Sequence, residues 1–190
     1  MKDKTELRDM LRARRREHVA ALPESTRALI LHRPPAPLLD LIPAGAVIGT
    51  YHATANEAPA GGYTRFFSEA GHTVALPYFE TADAVMDFRI HSDPFGETDL
   101  EAAPFGALQP GPQAEAVVPD VLIAPLIGFT AAGERLGQGG GHYDRWLADH
   151  PGTRAIGLAW DCQLVDELPT EAHDMPMTAI VTPTRLYGPF

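Results

Sequence analysis

The 190-residue chain has one cysteine, Cys162, and only two lysines, both within its first four residues. A single thiol excludes an internal disulfide. No Cys-x-x-Cys or His-Glu-x-x-His spacing occurs, which argues against structural or catalytic zinc. The Ser-His-Asp and Cys-His signatures of covalent catalysis are missing too. No apolar run approaches the ~20 residues needed to span a bilayer, and the charged N-terminus lacks the apolar stretch of a signal peptide. These absences lead to the expectation of a cytoplasmic protein without membrane association. Internal repeats and linkers are also lacking, so residues 1–190 read as one domain.

The formal net charge is −10, which disfavours general nucleic-acid binding. Its distribution is uneven. Seven basic residues (Lys2, Lys4, Arg8, Arg12, Arg14, Arg15 and Arg16) fall in the first sixteen positions, against three acids. Such a run is ordinarily a solvated helix face. It can also supply cations to an anionic ligand. An RNA-binding arm is a third use, disfavoured by the acidic remainder.

Leu7, Met10 and Leu11 recur at helical spacing, which predicts a helix over 3–21 that stops before Pro23. Lys4 and Arg8, four apart, share one of its faces. Residues 23–32 suggest a second helix broken by "RPPAP", and 62–71 and 141–150 two more. Strands are expected at 46–51, 72–77, 84–90, 121–129, 154–160 and 178–182. The continuous run "VLIAPLIGF" suits a strand buried on both faces. Residues 92–119, rich in Pro, Gly and acids, read as an excursion with little regular structure. Strands alternating with helices imply an α/β fold. Ligands of such sheets bind beyond the carboxyl ends of the strands. That edge receives both the loop "TANEAP" and the segment "GQGGGH".

Glycine is concentrated where this edge is expected: four of the five residues from Gly137 to Gly141. A glycine turn entering a helix offers unpaired N–H groups, reinforced by the helix dipole, to an anion such as phosphate. The segment is neither a P-loop, since His142-Tyr143 replace the Lys-Ser/Thr, nor a dinucleotide fingerprint. Taken alone it could be a plain turn. Arg135 can pair with phosphate oxygens. Asp144 would repel a polyphosphate unless Mg²⁺ lay between, and Asp174 could complete such a site. Either aspartate could instead be a helix cap or turn former.

The run "PLIGFTAAGERLGQGGGHYDRWL" resembles the signature of the 5-formyltetrahydrofolate cyclo-ligase family. "KTELR" matches its N-terminal Lys-x-x-Leu-Arg, "NE" its folate-contacting Glu, and "AWDCQLVDELPTEAHDMPMTAIVT" its C-terminal third. The resemblance implies a three-layer α/β/α fold with a mostly parallel sheet. It also implies ATP- and Mg²⁺-dependent closure of 5-formyltetrahydrofolate, with or without a polyglutamate tail, to 5,10-methenyltetrahydrofolate by a monomer. Carried over by motif, ATP would be held by Lys4, Arg8, Arg135, Leu136, Gly137 and Gln138. Gly139, Gly140, Gly141, His142 and Tyr143 would continue that site, with Arg135 and Tyr143 acting in catalysis. Folate would lie against His52, Glu57 and the stretch Gly139–His142, and Asp144 and Asp174 would hold Mg²⁺.

The chain departs from the family pattern at three places. His142 stands where a Tyr is usual, which could bring a group titrating near neutrality to the site. Gln109 replaces a frequent Glu before Pro110, and Ala60 replaces a frequent Thr. The alternatives are a folate- or nucleotide-binding regulator with little turnover, and a phosphotransferase acting on another small amide.

Overall fold

The computed structural model describes residues 3–171 and 174–190; Lys2 of the basic run lies outside them. Helix α1 (Lys4–Ala21) begins where Asp3 accepts from the amides of Thr5 and Glu6, both at 2.8 Å. That bond pattern satisfies donors otherwise left unpaired in the first turn. Short helices α2 (Glu24–Leu29) and α3 (Ala36–Leu39) follow, then strand β1 (Val47–Gly49). Helix α4 (Gly61–Glu69) precedes β2 (Thr73–Tyr78) and β3 (Asp87–Ile90). Strands β4 (Leu100–Ala102) and β5 (Leu108–Pro110) come next, then β6 (Val121–Pro125). The pair β7 (Gly128–Phe129) and β8 (Arg135–Leu136) leads into helix α5 (His142–Asp149). Strands β9 (Arg154–Leu158), β10 (Ala179–Val181) and β11 (Leu186–Tyr187) close the set.

Seven strands form one sheet in the order β11-β10-β9-β6-β1-β2-β3. The five central strands are parallel, and β3 and β11 run antiparallel at the two edges. Along β6, Val121 and Ile123 enter one apolar cluster with Phe67 of α4 and Leu38 of α3. Leu122 and Ala124 enter the opposite cluster with Trp146 of α5 and Phe88 of β3. Alternate side chains therefore bury both faces, as the unbroken apolar run requires. This is the three-layer α/β arrangement the sequence implied. Among the described residues no helix is long and apolar enough to cross a membrane.

The structure differs from the sequence expectation in two places that matter for the site. The run 121–129 is not one strand. It leaves the main sheet after Pro125, and Gly128–Phe129 pair with Arg135–Leu136 instead. Leu7 and Leu11 of α1 pack on this small ribbon with Ile127, Leu136 and Leu168. A methyl group on Gly128 would stand 2.5 Å from Leu11 Cδ1, so a larger residue there would have to displace the Leu11 side chain from its place under α1.

Residues 92–119 are also more ordered than expected, for β4 and β5 form an antiparallel pair within them. Polar contacts pin the excursion at both ends. The Asp99 carboxylate bonds His91 Nδ1 at 3.0 Å and accepts from the Ser92 amide at 2.7 Å. Arg89 donates to the Ala114 carbonyl at 2.9 Å and covers the Tyr78 ring. Buried Gln109 both accepts from the Phe79 amide and donates to its carbonyl, each at 3.1 Å. An ionised Glu could not make the second bond, so in this chain the amide fixes β5 beside the end of β2.

Desolvation alone would raise the pKa of Asp99, but the bonds from His91 and Ser92 prevail and hold it below the usual carboxylate value. Its folded-state pKa is thus lower than its unfolded one. The stabilisation is complete above the unfolded value, about 3.9, and fades as pH falls through the folded value. Acidification below about pH 4 should therefore loosen residues 92–112 before the core unfolds. Limited proteolysis against pH would show cleavage confined to this segment. Asp99→Asn should give the same cleavage at neutral pH.

Candidate active site

Helix α1, seated on the β7–β8 ribbon, brings its basic face to the glycine segment. Arg8 Nε donates to the Gly137 carbonyl at 3.0 Å, and Arg12 Nη2 to that of Gln138 at 2.8 Å. These bonds turn two consecutive carbonyls toward the helix. Gly139 and Gly141 adopt φ of 112° and 65°, the left-handed region that favours glycine. The amides of Gly139 and Gly140 donate to no acceptor among the described residues. Gly141 heads α5 without a side-chain cap, so the helix start also keeps its donors available.

The loop after β1 joins the same edge. Gln138 Nε2 donates to Glu57 Oε1 at 2.9 Å, and the Thr54 amide donates to Glu57 Oε2 at 2.8 Å. Trp160 holds this loop from below through the Asn56 carbonyl, at 3.1 Å. The Glu57 carboxylate is thereby oriented, with lone pairs left over for a ligand.

A cavity of about 440 Å³ opens between these loops. Glu57, His52, Arg135 and most of the segment from Gly137 to Asp144 form its polar side. Pro77, Phe79 and Met86 form the apolar side, roofed by Ala103, Phe105 and Leu108 of the 92–119 excursion. Sequence reasoning missed this apolar wall. The loop repeats Pro-Phe-Gly at 94–96 and 104–106, but nothing in that pattern tells which Phe lines a cavity, and Phe105 is half-exposed. His52 reaches the roof, where its Nδ1 faces the Leu108 amide at 3.4 Å and its Nε2 lies 3.8 Å from Glu97.

The other residues singled out from the sequence divide into two groups. Lys4, Arg8, Leu136, Gly139 and Asp174 do not line the cavity; the Leu136 side chain is part of the apolar contact under α1. Arg135, Gly140, Gly141, His142, Tyr143 and Asp144 do line it. The two aspartates each meet a cation. Asp144 Oδ1 pairs with Arg135 Nη2 at 2.5 Å and accepts from the Met175 amide at 3.1 Å. Asp174 pairs with Lys4 Nζ at 2.8 Å, and Glu171 joins the same ammonium at 3.0 Å. Partial burial opposes the charge on Lys4, but these carboxylates outweigh it and raise its pKa. Among the described residues no three His, Cys, Asp or Glu side chains converge on a metal position. Mg²⁺, however, usually takes one or two carboxylates together with phosphate oxygens and water. Asp144 Oδ2, with no partner among the described residues, fits that role.

His142 packs edge-on against Phe79 and tilted against Phe105, with ring centroids 5.0 and 5.4 Å away. Burial and the Arg145 charge, whose Nη2 lies 3.2 Å from Nδ1, hold its pKa below 6.5. The histidine is thus shifted away from neutrality, toward the uncharged form. Burial, and then the Glu57 charge, push the Tyr143 phenol far up, so it stays a hydrogen-bond donor.

A profile of the 5-formyltetrahydrofolate cyclo-ligase family matches residues 1–183. The 5-formyltetrahydrofolate cyclo-ligase of Escherichia coli (strain K12) is 39% identical over 121 residues, 62% of this chain and 59% of that protein. The Mycolicibacterium smegmatis protein of the same name is 35% identical over 122 residues, 62% of this chain and 63% of the relative. The chain thus matches less than two thirds of the length of these curated relatives. The solved structure of Aquifex aeolicus 5,10-methenyltetrahydrofolate synthetase shares the fold, with a TM-score of 0.76 at 23% identity. That match covers 98% of this chain and 92% of the other.

If α1 shapes the glycine segment, removing both of its guanidinium contacts should free the loop. Arg8→Ala combined with Arg12→Ala should speed cleavage within residues 137–141 by a nonspecific protease about fivefold, because the two partly exposed bonds together contribute only about 1 kcal/mol. The melting temperature should fall by only about 2–4 °C. Unchanged cleavage would mean that the loop keeps its shape without the helix.

Proposed function

The chain belongs to the 5-formyltetrahydrofolate cyclo-ligase family, and from that premise we propose that it closes 5-formyltetrahydrofolate to 5,10-methenyltetrahydrofolate at the expense of ATP. The observation that carries this reading is the cavity itself. It joins an apolar wall suited to a heterocycle with a glycine segment and a buried guanidinium suited to a triphosphate.

A formamide oxygen is a poor leaving group at neutral pH. Transfer of the γ-phosphoryl group to that oxygen, releasing ADP, makes it a phosphate ester. The N10 amine then attacks the activated carbon, the C–O bond breaks and phosphate departs. No covalent protein intermediate is required, in accord with the missing nucleophile signatures.

Such a transfer depends on positioning and charge stabilisation. Unpaired amides of Gly139 and Gly140 and the helix start would face phosphate oxygens. Arg135 commits Nη2 to Asp144 but keeps Nε buried without a partner, a donor for the moving phosphoryl group. Tyr143, kept protonated, would donate beside it. Lys4 and Arg8 would add positive potential from outside the cavity lining. Asp144, with Asp174, would hold Mg²⁺, which supplies charge neutralisation at the phosphates when bound. Glu57 would orient the folate by accepting from its N–H groups, and His52 and His142 would border the ring. The reading includes a monomer acting in the cytoplasm on mono- or polyglutamylated substrate.

Growth of methenyl-folate absorbance with 5-formyltetrahydrofolate, ATP and Mg²⁺ tests the reaction directly; ADP release without it would point to another acceptor. Glu57→Gln should weaken folate binding and leave nucleotide binding unchanged. A loss of ATP affinity in calorimetry would contradict that assignment. Asp144→Asn should raise the Mg²⁺ concentration for half-maximal rate about 10- to 100-fold. Should its melting temperature collapse instead, Asp144 serves chiefly to hold Arg135.

A further inference from the structure

The apolar stripe of α1 contains one residue that does not belong to it. Leu7, Leu11, Arg15 and Val19 recur every four residues and are all buried. Arg15 thus occupies a position that amphipathic patterning assigns to an aliphatic side chain. It is only 8% exposed, and its Nε and Nη1 are buried with no hydrogen-bond partner. Burial lowers its pKa, and the Glu57 charge acts against that loss. An uncompensated buried cation is costly, and an orphaned donor in a native fold calls for a physical reason.

The reason lies in what Arg15 faces. It lines the same cavity as Glu57 and Tyr51. The Tyr51 phenol is committed to the Ala58 carbonyl. Both Glu57 oxygens already accept one bond each, and neither is given to Arg15. The cavity floor therefore presents an acceptor pair next to a donor fork. A phosphate placed there would meet the Glu57 carboxylate and be repelled. A neutral ring edge carrying N–H donors next to a carbonyl oxygen complements both groups at once. The 2-amino-4-oxopyrimidine ring of a folate has such an edge.

We propose that Arg15 is a specificity-determining residue that donates to the exocyclic carbonyl oxygen of the folate ring while Glu57 accepts from the adjoining ring N–H and amino groups. This rests on the cyclo-ligase reading and adds to it the means of selecting the oxo ring. A site built around a buried donor discriminates strongly against an analogue lacking the matching acceptor.

The test compares 5-formyltetrahydrofolate with its 2,4-diamino analogue, in which an amino group replaces the carbonyl oxygen. Binding of each, and of magnesium ATP, is measured by calorimetry on the full chain and on Arg15→Met. Wild-type protein should prefer the oxo ring by about 10- to 100-fold, the worth of one charged hydrogen bond. In Arg15→Met that ratio should fall severalfold through lost affinity for the oxo ring alone, the remainder being Glu57's, because the diamino ring also lacks the N3–H it accepts from. ATP affinity should stay within about threefold, and the unliganded melting temperature should equal or exceed that of wild type, since a buried unpaired charge has gone. Arg15→Lys should recover part of the preference. An unchanged ratio in Arg15→Met, or a fall in ATP affinity instead, overturns the assignment alone. Wild-type protein that binds neither folate overturns the cyclo-ligase reading and this inference with it. Should Arg15→Met not fold, Arg15→Gln is measured in the same way and must show the same loss of preference.

Discussion

The grip of the α1 guanidinium groups on the carbonyls of Gly137 and Gln138 is the contact on which the rest of the site depends. It links positions 129 and 126 residues apart in the chain. A glycine segment has little conformational preference of its own. Turning its carbonyls toward a helix sets the remaining amides free to face a ligand. The helix can do this only because Leu7 and Leu11 seat it on the β7–β8 ribbon, where Gly128 leaves room for Leu11. Apolar packing thus determines where the cations stand, and the cations determine the shape of the anion site.

Charge within the site is balanced in layers. Lys4 with Asp174 and Arg135 with Asp144 form two pairs that set the positions of four ionic groups around the start of α5. Glu57 is fixed by a neutral amide and a backbone N–H rather than by a cation. Its negative charge therefore remains effective toward whatever enters the cavity, and Arg15 stands beside it with unused donors. The floor is polar and near balance, while the walls of Phe79, Phe105 and Met86 exclude water from one side.

The parallel sheet was legible because β6 and β9 carry nearly continuous apolar runs, and burial on both faces leaves that pattern in any sequence. The glycine segment and its flanking aspartates could be picked out for similar reasons, since local composition reports a local need. Other features were not local. That 121–129 breaks after Pro125 depends on a partner strand ten residues further on. That Asp144 meets Arg135 depends on the turn from β8 into α5, and that Asp174 meets Lys4 depends on where α1 packs. Arg15 was counted with six other basic residues, because a charge run reads the same whether its members face water or a cavity. The roof over the cavity was hidden as well: two three-residue strands held by Gln109, His91 and Arg89 are too short to impose a period.

The scarcity of lysine has a practical outcome. All remaining basic side chains beyond Lys2 and Lys4 are arginines or histidines, and Lys4 alone of the described primary amines is held against Asp174 and Glu171. Within these 190 residues, acylating or isotopically tagged reagents selective for amines therefore find side-chain targets only at Lys2 and Lys4. A probe introduced at Lys4 would sit one helical turn before Arg8, which holds the Gly137 carbonyl, giving a built-in reporter address that required no engineering elsewhere in these residues.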